Sequence, residues 1–91
     1  MNTAYISLLN ISLQDYHFKV CNLNLASALA PEVRQRSLCD HQFRLYMGIN
    51  SLLGHAEAAG DEASAAALRD IVKQCAEGEA PQPIELQEVA A

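Results

Sequence analysis

Residues 3–30, TAYISLLNISLQDYHFKVCNLNLASALA, contain neither glycine nor proline. Counting from Ile6, the positions Ile6, Leu9, Leu13, Tyr16, Val20, Leu23, Ser27 and Ala30 recur at alternating spacings of three and four, the period of one face of a helix. Two pieces of the stretch, YISLLNISL and HFKVCNLNL, also alternate in the manner of strands and are rich in residues that suit a pleated surface. The helical spacing is sustained for longer than either alternation, so it predicts one long helix over about residues 3–30.

The same helix carries a second apolar row, Leu8, Ile11, Phe18, Leu25 and Leu29, on the side away from the first. Its charges are Asp15 and Lys19, an i, i+4 pair. A helix apolar on two opposite sides is expected at the centre of a bundle, with neighbours on both flanks. Two further helices give limited cover, which points to completion of the bundle by dimerisation or by a partner helix. The alternative is that both rows are core of a single chain, the second covered by the chain's end folding back or by a bend in the next helix.

Beyond this stretch, Pro31 suits the first turn of a second helix and Glu32 suits its positive end. That helix is predicted over 31–59, with Leu38, Leu45, Tyr46, Ile49, Leu52, Leu53, Ala56 and Ala59 on one stripe and Phe43 and Met47 on a smaller second patch. Arg36, Asp40 and Arg44 are spaced for an ion-pair ladder outside the stripe. Gly48 leaves open a break with a restart at Asn50 or Ser51, which would make four helices of three. Gly60 followed by Asp61 reads as a helix stop and a cap for the next helix, predicted over 61–77 and ended by Gly78, with Leu68, Ile71, Val72 and Cys75 as its apolar stripe. The fold class is therefore all-α: a small bundle with a long N-terminal helix and an antiparallel C-terminal helical hairpin, forming one domain over residues 1–78.

The chain has 91 residues, 51% of them hydrophobic, and a net charge of −5. Residues 1–75 hold seven acids and six bases, whereas residues 76–91 hold four acids and no base. The stretch 79–91, with Pro81 and Pro83 and few large apolar residues, is expected to be a flexible acidic tail, or a docking peptide led by Ile84, Leu86 and Val89. A net charge near −1 over residues 1–75, with the unbalanced acids in the tail, argues against mimicry of DNA. Polar residues interrupt residues 1–30 too often for a membrane span. Three cysteines without a CxxC pair, and a start without a basic n-region, suggest a reducing cytoplasm.

Motifs that carry chemistry are sparse. His17 and Cys21 share a helix face, and Cys39 and His41 lie near each other, but the short CxxC or HxxxH spacings of zinc sites are missing. Cys21 and Cys75 read as small packed residues. Cys39, Asp40 and His41 point about 100° apart from one residue to the next and cannot converge as a catalytic triad. There is no phosphate-binding glycine loop, paired-carboxylate motif or HExxH. No enzyme activity, cofactor or metal is expected.

The expected function is a protein-protein interaction module, an adaptor, small chaperone or inhibitor, acting through an apolar helical interface of Ile11, Tyr16, Phe18, Leu25, Phe43 and Met47. Its partner would be itself, as a homodimer, or another protein. Tyr16 and Phe18 are the expected anchors, since aromatic side chains dominate interface energetics. The alternative is a small dimeric nucleic-acid-binding regulator using Arg34, Arg36 and Arg44, though Asp40 sits among these arginines and no basic arm accompanies them.

Overall fold

The computed structural model describes residues 1–83 as three helices, α1 (Thr3–Leu25), α2 (Pro31–Ala58) and α3 (Glu62–Ala76), with no strand among the described residues. The helical period thus prevails over the short strand-like alternations throughout Thr3–Leu25. The helices run up, down and up. α2 is the central one, packed against α1 on one side and α3 on the other. The two apolar rows of the sequence suggest α1 for that place; instead α1 is an outer helix with one face turned inward.

The inward face is the heptad row. Ile6, Leu9 and Leu13 are fully buried, Tyr16 and Leu23 nearly so. Leu9, Leu13 and Tyr16 join Leu45, Ile49 and Ala56 of α2 and Ala65, Leu68 and Ile71 of α3 in one cluster, with Val20, Leu52, Leu53, Val72 and Cys75 packed around it. Each large side chain so buried contributes about 1.5–3 kcal/mol.

This explains why α2 is unbroken at Gly48. An interior glycine costs about 1 kcal/mol relative to alanine, less than burial of Leu45 and Ile49 on either side of it supplies. A Cβ built at Gly48 meets nothing within 4 Å, so packing does not require the glycine.

The ends of α1 are set by specific contacts. Asn2 caps its start, its Oδ1 accepting from the Ala4 N–H at 2.8 Å, while the Asn2 N–H donates to Ser64 Oγ at 2.9 Å and ties the start of α1 to the start of α3. The helix stops at Leu25, five residues short of the length expected from the sequence. Ala30 precedes a proline, which disfavours the helical conformation there, and it is extended at φ −62°, ψ 145°. The chain reverses over the residues between, where the Arg34 guanidinium donates to the carbonyls of Leu23 and Ala26, both at 2.7 Å. Each of these carbonyls also accepts a backbone N–H, from Ala26 and Leu29 respectively, both at 3.2 Å, so Arg34 adds a second bond that ties α2 to the end of α1.

The turn between α2 and α3 follows the expected stop and start. Gly60 is left-handed (φ 74°), and the Asp61 N–H donates to the Ala56 carbonyl at 3.0 Å. Asp61 caps α3 by accepting from the Ser64 N–H at 3.1 Å and from Ser64 Oγ–H at 2.7 Å. These two hydrogen bonds, the side-chain one foremost, hold the Asp61 carboxyl below its ordinary pKa of 3.8. Gly78 (φ 85°) ends α3.

Past α3 the chain is not free at first: Ala80 packs on the core, and His17 places Nε2 2.8 Å from the Pro81 carbonyl, to which the ring donates. The predicted tail therefore begins as a strap over α1. Ile84, Leu86 and Val89 lie outside the described residues.

Gly48→Ala is expected to stabilise the protein by about 0.5–1 kcal/mol in urea or thermal unfolding, because the position is helical and unoccupied; a loss of stability would mean that the glycine has a packing role.

Candidate interaction surface

Helix lengths create the surface. At 1.5 Å per residue, α2 is about 42 Å long and α3 about 22 Å. The C-terminal end of α3 lies level with the middle of the α1/α2 pair, where Cys75, Gly78 and Ala80 surround a small cleft with Tyr16, Gln42 and Leu45. Beyond that level, α1 and α2 continue as a two-helix arm. Among residues 17–44, Leu23 alone is buried.

Along the outer side of α1, Leu8, Ile11, Phe18 and Leu25 are 50–75% exposed. They occupy the row identified in the sequence, and at 100° per residue they lie opposite the buried seam. Leu29 and Val33 extend the exposed apolar set past the end of the helix. Asp15 and Lys19 pair on this side at 2.8 Å.

The other residues predicted for the interface fall elsewhere. Tyr16 is in the core, 8% exposed, because it belongs to the inward heptad row; its ring meets His17 edge to face at 5.3 Å. Tyr16 is therefore a packing residue, a correction to its expected role as an anchor. Phe43 and Met47 are exposed on α2. Phe43 borders a shallow groove with Gln42, Tyr46, Cys75, Ala76 and Gly78, beside the end of α3 rather than on the outer face of α1. The six predicted residues thus divide into an α1 row of Ile11, Phe18 and Leu25, a separate α2 patch, and one core residue.

The predicted basic cluster is also divided. Arg34 is half-buried and its guanidinium is committed to the α1 carbonyls. Arg36 and Arg44 are exposed, but eight residues of helix place them about 12 Å apart along the axis and about 80° apart around it. The expected Arg36–Asp40–Arg44 ladder does not close: among the described residues the ion pair is Asp15–Lys19.

A groove of about 100 Å³ separates α1 from α2, lined by Ser12, Asp15, Tyr16, Lys19, His41, Arg44 and Leu45. His41 Nδ1 is buried without a partner among the described residues. Ligand pockets of ordinary size run from about 300 Å³ upward, so this groove suits a small ion or solvent rather than an organic substrate. Among the described residues no group of three or more His, Cys, Asp or Glu is placed to hold a metal ion. Cys21, expected to be packed, is exposed, because it lies outside the heptad row. Cys39 is exposed and accepts from Gln35 Nε2 at 3.6 Å. No helix among the described residues is long and apolar enough to cross a membrane.

Burial pushes the Cys75 thiol above its ordinary pKa, so iodoacetamide at about pH 8 is expected to alkylate Cys75 several-fold more slowly than Cys21 and Cys39; equal rates at all three would show that Cys75 is not packed against the core. Comparison with known protein families, curated proteins and solved structures finds no match to this chain, which leaves the surfaces described above as the guide to function.

Proposed function

We propose that this chain is a non-enzymatic interaction module whose outer α1 face docks an apolar helix. One observation carries the reading: Leu8, Ile11, Phe18 and Leu25 stand along one side of α1, with Asp15 and Asn22 between them, and take no cover from α2 or α3. Scattered exposed leucines are ordinary, whereas large apolar side chains aligned along one face mark an interaction surface. Leu8 and Ile11 project from the part of α1 whose opposite side is locked into the core, so that half of the docking face loses little conformational freedom on binding, while Phe18 and Leu25 stand on the two-helix arm.

Phe18 is the anchor of this face, being its one aromatic residue. The function is that of an adaptor, inhibitor or assembly subunit, with affinity supplied by apolar burial. The nucleic-acid alternative gains no support from the placement of its arginines, since Arg34 is held by the carbonyls at the end of α1.

At sub-micromolar protein, a dye such as anilinonaphthalene sulfonate is expected to bind the wild-type chain and to lose most of its fluorescence in Phe18→Glu and in Ile11→Glu, while Phe43→Glu keeps most of it. The α1 variants should retain helical circular dichroism and unfold within about 0.5 kcal/mol of the parent, as surface substitutions do. Dye fluorescence indifferent to both α1 substitutions would contradict the reading.

A further inference from the structure

We propose that the outer face of α1 pairs with the same face of a second copy, the two helices running antiparallel about a two-fold axis midway between Asp15 and Phe18. This rests on the docking reading above and names its partner. The full row is Leu8, Ile11, Asp15, Phe18, Asn22 and Leu25, with spacings of three, four, three, four and three, the spacing of a two-helix seam.

The row is self-complementary about its midpoint. An antiparallel pair centred there sets Leu8 against the partner's Leu25 at both ends, Ile11 against the partner's Asn22, and Asp15 against the partner's Phe18. The strongest apolar layers therefore close both ends of the seam. A single amide-bearing layer repeated by symmetry fixes the register, as a polar seam residue does in coiled coils.

Charge selects both the partner and the direction. In an antiparallel seam the hole that receives Asp15 is formed by four side chains, the partner's Asp15, Phe18, Lys19 and Asn22, so the carboxylate meets the partner's carboxylate together with an ammonium and an amide that offset it. In a parallel pair, Asp15 would meet the partner's Asp15 among Ile11, Gln14 and Phe18, with no cation in the hole. Within one chain, Lys19 Nζ already lies 2.8 Å from Asp15 Oδ2, and both side chains are substantially exposed. The two intrachain pairs can thus extend to a four-charge cluster across the axis without rebuilding either helix. A foreign helix would have to reproduce this arrangement in reverse, whereas a second copy supplies it by symmetry.

The test is a charge exchange on the full chain, read by sedimentation equilibrium, with circular dichroism on each sample. Wild type is expected to be a dimer that survives high salt. Asp15→Lys leaves only ammonium groups facing one another across the axis, and Lys19→Asp leaves only carboxylates there, so each should weaken the dimer by about tenfold or more. Mixing these two variants should restore a one-to-one dimer, and the double exchange D15K/K19D should restore the homodimer.

A wild-type chain that stays monomeric to millimolar concentration overturns the proposal. In that case, dye binding at Phe18 that rises on deletion of residues 84–91 identifies the chain's own end as the occupant, and unchanged dye binding leaves a foreign protein. A dimer that ignores both charge variants but dissociates in Phe18→Glu overturns the antiparallel register and keeps the docking reading. A dimer that also survives Phe18→Glu forms through another face and overturns the proposal, and the docking reading then stands or falls with the dye comparison of the α1 variants.

Discussion

Burial of the inner row of α1 against α2 and α3 is the constraint from which the rest of the molecule follows. Leu9, Leu13 and Tyr16 lock onto Leu45, Ile49, Leu68 and Ile71, and this fixes the rotation of α1 about its own axis. Once that rotation is fixed, every residue half a turn away is committed to the outside. The exposure of Ile11, Phe18 and Leu25 is therefore a consequence of the core. A rotation that buried Phe18 would bring out Leu9 and Leu13, which are fully buried and would lose more apolar contact than Phe18 gained.

Length supplies the second consequence. α3 ends level with Tyr16 and Leu45, and the remaining half of the α1/α2 pair is held by Leu23, by half-buried Val20 and Leu38, and by the Arg34 bonds to the two carbonyls at the end of α1. Two helices alone bury little, so this arm gains more from an added helix than the three-helix half does. The proposed second copy lays its α1 along this stretch, where Phe18 and Leu25 stand.

Much of this architecture was legible in the sequence because it rests on periodicity and on caps. The heptad from Ile6 named every buried residue of α1, Ile6, Leu9, Leu13, Tyr16 and Leu23, but ran on to Ser27 and Ala30, which are exposed past its end, and Gly60–Asp61 identified the hairpin turn. The single helix expected over 31–59 holds through Gly48, but two features were not legible, each for a physical reason. The end of α1 depends on the long-range reach of Arg34, although the extended conformation that Pro31 favours at Ala30 was a local signal that could have shortened the prediction. The central position of α2 depends on which stripes face each other, and periodicity within one helix does not specify its neighbours. At the candidate surface, the row Ile11, Phe18 and Leu25 was readable from spacing, whereas Tyr16 stands out for its aromatic character and yet lies in the core, because position outweighs residue type.

The central claim is that the outer face of α1 is completed by association. Native-state amide hydrogen exchange, resolved by residue over a hundredfold range of protein concentration, tests it most directly. Association predicts that protection over residues 15–38 rises with concentration, while core amides near Leu9, Ile49 and Leu68 start high and change less. Protection over 15–38 that is independent of concentration would contradict the claim and assign the stability of the arm to the single chain.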